Sequence, residues 1–223
     1  MANKRIRKEC EKYYFSVEGE TEQLYLQWLQ ARINESEKSK FNVDFYVRVE
    51  KNPLKFAKKL TITGHTEVWH LFDYESLEQE HKNNFYTTLD AMAEVSNDRF
   101  GKSITYRLGY SNFTFELWMI LHKRDCNSCK SNRKQYLQEI NNAYNEKFIS
   151  LVNYKEEKNF NKCLKSLTLD DVKNAINRAE KIETENSKSY KVQQYKSFEF
   201  YKENPATNIM IIVKRILEDC DLL

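Results

Sequence analysis

By Tyr110 the chain has alternated four short strand-like stretches with three helix-spaced ones, and that order leaves few folds open. Residues 13–17 read as a buried strand, and Leu24, Tyr25, Trp28, Leu29 and Ile33 follow at helical spacing. Residues 41–50 alternate apolar and polar side chains, with Val43, Phe45, Val47 and Val49 on one face, the period of a half-buried strand. Asn52 and Pro53 then supply an N-cap and a first-turn proline for a helix reaching about Thr61. Residues 67–72 predict a third strand ending at Asp73, a helical pattern covers 77–95, and residues 103–110 predict a fourth strand. Such an order calls for an α/β fold, a mostly parallel sheet with helices on both faces. Four glycines and two prolines in 223 residues are too few for the tight turns of an all-β fold.

Residues 113–123 are apolar nearly all round, which predicts a buried helix, capped by Ser111 or Asn112 and carrying Glu116 on the side of Phe113, Met119 and Ile120. Beyond this core of residues 1–123, the stretch 124–203 is rich in lysine, asparagine and tyrosine. Helical patterns at 134–147 and 168–185 make it a helical insertion or cap. Residues 204–208 are expected to open a closing C-terminal helix within 204–223, with Ile209, Ile212, Val213, Ile216 and Leu217 packed back on the core.

Net charge is only +3, from 36 basic and 33 acidic residues, too balanced to imply a nucleic-acid partner by itself. No apolar run approaches the roughly 18 residues of a membrane span. The basic start lacks an apolar stretch behind it, so a cytoplasmic chain with no membrane partner is expected. Five cysteines, an odd number, point to free thiols. Cys126 and Cys129 have zinc-knuckle spacing, but a structural site needs a second such pair and Cys163 stands alone, so zinc is not expected.

The chemistry-bearing candidates are acids at strand ends. Glu18 follows the first strand, Asp73 and Glu75 the third, and Glu116 lies just beyond the fourth, where open α/β sheets place their ligand crevice. Clustered carboxylates repel unless a hard cation neutralises them, which points to Mg²⁺ or Mn²⁺ and to phosphodiester hydrolysis. Plainer roles stand beside these. Glu20 and Glu22 sit in a first helical turn, where the dipole favours acids by about 0.3 to 1 kcal/mol each. Asp73 can cap a helix, and Glu116 can be satisfied by an arginine or by backbone amides. His70 reads as a sheet residue and His122 as a supporting group near Glu116. Lys51, Lys55, Lys58 and Lys59 form one basic group, and Lys123, Arg124, Lys130, Arg133 and Lys134 another. Residues 154–162 interleave aromatics with lysines, the mixture that single-stranded or looped nucleic acid uses, although such clusters are also ordinary solvated surface.

Four blocks taken in order carry a resemblance: Val17-Glu18-Gly19-Glu20-Thr21-Glu22, then Leu71-Phe72-Asp73-Tyr74-Glu75, then residues 110–118 with His122, then Asn204-Pro205-Ala206-Thr207-Asn208. Together they resemble the RloB-like family, a branch of the Toprim superfamily found in bacterial phage-defence and restriction-linked loci. The resemblance implies a Toprim-like fold, with Glu18 as general acid/base or metal ligand and Asp73 and Glu75 in the Mg²⁺-binding motif. Glu116 would add a ligand, and Glu22, Ser111, Asn112 and His122 would support the site. Two departures stand out: Glu75 replaces the last aspartate of Asp-x-Asp, and Phe113 replaces the proline of Ser-Asn-Pro. The implied activity is a metal-dependent nuclease in anti-phage defence, RNA ahead of DNA, compatible with an oligomer. The chain has no Walker phosphate loop, so ATP-driven control requires a separately encoded ATPase. The alternative is a catalytically silent sensor or docking module for that ATPase.

Overall fold

The computed structural model describes residues 8–97 and 101–223; most of the basic start, residues 1–7, lies outside them. Strands β1 (Cys10–Val17), β2 (Asn42–Val49), β3 (Thr66–Asp73) and β4 (Ile104–Asn112) run parallel. With a short antiparallel strand β7 (Ala206–Thr207) they form a five-stranded sheet in the order β2-β1-β3-β4-β7. The fold is therefore α/β, as the alternating pattern requires.

The helices α1 (Glu20–Glu35), α2 (Pro53–Lys59) and α3 (Gln79–Ser96) connect the parallel strands. Asn52 caps α2 by accepting the Lys55 N–H at 3.1 Å, with Pro53 in the first turn. On one sheet face α2 and α3 cover Val68, Phe72, Tyr106 and Leu108, and a small hairpin of β5 (Gln193–Tyr195) and β6 (Phe198–Phe200) joins them. On the other face α1 packs with α4 (Glu116–Leu121), α5 (Tyr136–Tyr144), α6 (Leu151–Lys155), α7 (Glu157–Lys165), α8 (Leu169–Ser189) and α9 (Ile209–Asp219). Side chains of the stretch 124–203, Tyr136, Tyr154, Phe160 and Ile176 among them, share one buried cluster with Phe15, Leu26 and Trp118. No helix among the described residues is long and apolar enough to cross a membrane.

Two local expectations are corrected. Ser111 and Asn112 do not cap a helix; they finish β4, opposite Thr207 and Ala206, and α4 starts only at Glu116. Residues 204–208 do not open the closing helix either, because Ala206 and Thr207 are β7 and α9 begins at Ile209. The cause is the exposed backbone at the end of β4. β7 pairs only two residues of it, and the Asn208 side chain continues the ladder, accepting the Tyr110 N–H at 2.6 Å and donating to the Leu108 carbonyl at 3.0 Å.

Candidate functional site

The strand register decides which acids meet. Val17 is level with Leu71, and Asp73 with Ser111, so the turns after β1 and β3 emerge together at the carboxyl edge of the sheet. The Glu18 N–H donates to the Leu71 carbonyl at 3.0 Å, and the Glu18 carboxylate reaches across to accept the backbone N–H of Asp73 at 3.1 Å. Its other oxygen lies 3.0 Å from Lys51 Nζ. Gly19, backbone extended, opens α1 so close to the next turn that an added Cβ would come 3.0 Å from Glu22 Oε2. Any side chain there would press on that acid.

Glu22 is buried, with Thr21 Oγ1 donating to it at 3.1 Å. Glu116, only 1% exposed, accepts a short hydrogen bond from Thr114 and lies 2.9 Å from Lys155 Nζ, at the last residue of α6. These groups sense one another. Burial, followed by the negative charges of Glu18, Glu22 and Glu116, holds the Asp73 carboxyl well above the usual aspartate value. Burial also raises Glu22, with Glu116 and Glu18 adding to it. For Lys155, burial works against the charge, but Glu116, Asp73 and Glu22 outweigh it and raise the amine above its ordinary value. Four acids from three parts of the chain thus act on one region, with one lysine in their midst.

A cavity of about 320 Å³ opens beside them on the α3 side, with Glu18, Lys51, His70, Asp73, Glu75 and His81 in its wall. Glu75 stands apart from the acid group and is paired with His81 at 3.0 Å and Arg133 at 3.2 Å. His70 is buried and shares a 2.7 Å hydrogen bond with Ser16; burial lowers it to about 4, so its ring is neutral near pH 7.

In kind these donors suit a hard divalent ion, because they are carboxylate oxygens whose mutual repulsion such an ion relieves. The Asp73 carboxylate makes no hydrogen bond or ion pair among the described residues, so it is the acid free to ligate. Glu18 and Glu22 are the charges that act on it most strongly. Nevertheless, no group of three or more His, Cys, Asp or Glu side chains among the described residues is positioned to hold a metal ion. Glu18, Glu75 and Glu116 are each turned to a basic side chain instead.

The remaining candidates divide sharply. Ser111 donates to Thr207 Oγ1 at 3.0 Å, since the Thr207 hydroxyl hydrogen is given to the Tyr110 carbonyl. The Asn112 amide binds the carbonyls of Tyr201, Lys202 and Glu203, so both residues tie β4 to the segment before β7. His122 donates from Nδ1 to the Trp118 carbonyl at 2.9 Å and accepts the Tyr25 hydroxyl at Nε2, 3.2 Å away. Burial lowers it to about 4 and keeps it neutral, and its place is the packing of α4 on α1. Of the basic residues, Lys51 and Arg133 pair with site acids, Lys123 with Asp171 at 3.0 Å and Arg124 with Glu139 at 3.9 Å. Lys55, Lys58 and Lys134 are exposed and make no side-chain ion pair among the described residues. Lys155 and His81 reach Glu116 and Glu75 from parts of the chain that no sequence spacing links to those acids. Lys155 lies in the aromatic and lysine stretch, where the one usable cue is its neighbour Tyr154, a side chain bulky enough to anchor a turn in the core.

A family model described as RloB-like protein covers residues 13–216, nearly the whole chain. No curated protein and no solved structure matches it.

Proposed function

The chain belongs to the RloB-like family, and from that premise we propose that it is a Mg²⁺- or Mn²⁺-dependent nuclease, RNA ahead of DNA, acting as an effector in anti-phage defence. The observation that carries this reading is the hydrogen bond from the Asp73 backbone to the Glu18 carboxylate. It brings acids from two strand ends to one edge, where Glu22 and Glu116 act on the same point. Glu18 and Asp73, which that hydrogen bond joins, are the acids that would hold the ion, while Glu75 and Glu116 stay with Arg133 and Lys155. When bound, such an ion polarises the phosphodiester and steadies the leaving oxygen. Glu18, partly exposed and facing the cavity, would take the proton of the attacking water. Lys51 in the cavity wall and the exposed Lys55 and Lys58 of α2 would meet the phosphate backbone, and Arg133 holds Glu75 at the rim. A separately encoded ATPase would supply control.

A second reading, a silent sensor or docking module for that ATPase, is favoured by one observation: three of the site acids already have protein cations as partners. Incubating the purified chain with RNA and with DNA, in Mn²⁺ or in chelator, separates the two. Metal-dependent cleavage lost in folded Glu18→Ala and Asp73→Asn variants supports the nuclease. Cleavage that survives both substitutions removes the site assignment, and no cleavage of either substrate favours the silent module.

A further inference from the structure

We propose that a cleft at the amino edge of the sheet binds a nucleoside monophosphate, free or at the end of a strand. It lies at the opposite end of β1 and β3 from Glu18 and Asp73, and the strand register opens it. β1 begins at Cys10 and β3 at Thr66, but the ladder between them starts only at Tyr14 opposite Val68. Beside the start of that ladder is a volume of about 370 Å³, within the range of small-molecule sites and with room for one nucleotide rather than a length of strand.

Its walls bring aromatic faces and cations together. Lys12 and Tyr14 come from β1, Trp69 from β3, His65 from the loop before it and Arg215 from α9. Lys12 Nζ lies 5.5 Å from the centroid of the Tyr14 ring, and the Arg215 guanidinium 5.7 Å from that of Trp69. A base stacks on an aromatic ring or a guanidinium plane, and a phosphate pairs with ammonium and guanidinium groups. Glu67, the one acid in the wall, is already saturated: it accepts from Arg107 at 2.8 Å, from Arg215 at 2.6 Å and from the Trp69 indole at 2.9 Å. Two guanidiniums against one carboxylate leave positive charge in excess. Lys12 pairs only with Asp44, at 3.6 Å, and both side chains are about half exposed, so water screens that pair and the ammonium is available. The loop adds backbone donors. The exposed N–H groups of Thr63, Gly64 and His65 make no hydrogen bond among the described residues, and successive N–H groups at a bend are what an anion takes.

The test is calorimetric titration of the full chain with the ribonucleoside monophosphates of A, G, C and U, in chelator so that no metal ion contributes. Lys12→Ala and Arg215→Ala are each expected to weaken binding about tenfold, the scale of one charge-assisted hydrogen bond, whereas Lys51→Ala, at the acid cavity, binds as wild type does. Gly64→Leu gives an independent reading. A side chain added there meets no atom within 4 Å, so the fold accepts it, and its bulk in the cleft wall is expected to abolish binding. A 5′-phosphorylated oligonucleotide that binds more tightly than its monophosphate assigns the cleft to a strand end, and the reverse order assigns it to the free nucleotide; either supports the site. Four results overturn it: no monophosphate binds, inorganic phosphate or the bare nucleoside binds as tightly, binding is lost in Lys51→Ala, or binding survives Lys12→Ala, Arg215→Ala and Gly64→Leu alike. The nuclease reading stands or falls separately, on metal-dependent cleavage at the other edge of the sheet.

Discussion

At Asp73, position and charge work against each other. Its carboxyl is held above the ordinary value of 3.8 by burial and then by Glu18, Glu22 and Glu116, with Lys155 opposing them. The folded chain therefore keeps a proton there that the unfolded chain releases. The stability this contributes is complete below the unfolded value and is lost as pH rises through the folded one. Asp73→Asn, which removes the charge that burial and the neighbouring acids oppose, is expected to stabilise the metal-free fold, a gain that shrinks as pH falls. Urea unfolding at pH 7.5 and pH 5 checks both sign and trend, and a destabilised Asp73→Asn at pH 7.5 contradicts the account. Much of this was legible in the sequence, because an acid closing an apolar strand has few reasons to be there. What the sequence could not give was the partner of each acid. Lys155 is 39 residues from Glu116, and no spacing rule links an ammonium in one helix to a carboxylate in another.

Among the elements, those with a clear period were readable and those shaped by a neighbour were not. β1, β3 and α2 followed from apolar runs and from the Asn52-Pro53 start. β7 has two residues, too short for any alternation to register, and exists because β4 needs an edge partner. The five-residue α6 is likewise set by Tyr154 packing rather than by helical propensity. Two substitutions test this distinction. Asn208→Ala leaves the Tyr110 N–H and Leu108 carbonyl short of a partner and should cost about 2 kcal/mol. Thr168→Ala removes one half of the capping box that starts α8 and should cost about 1 kcal/mol. Thermal unfolding ranks the pair; a neutral Asn208→Ala would show that β4 finds other partners.

Over the whole molecule a net charge of +3 conceals an uneven arrangement. Lys51, Arg133, Lys123 and Arg124 are occupied with acids of the protein, which leaves Lys55, Lys58 and Lys134 as exposed cations from the two basic groups. Changing all three to alanine should weaken RNA binding uniformly across sequences. It should also flatten the slope of log affinity against log salt by about two, at roughly 0.7 per phosphate contact on a single strand. Filter binding at several salt concentrations measures it, and an unchanged slope would move the nucleic-acid face elsewhere. Charge clusters alone could not sort occupied from free cations, because that depends on which turns the fold brings together.

The attachment of Lys155 to α6 also governs how this part of the molecule can come loose. Peeling the segment away would leave Glu22, Asp73 and Glu116 facing one another without their counter-charge, so each step of opening meets a growing electrical penalty. The short helix is closed by a spring whose tension comes from the acids themselves.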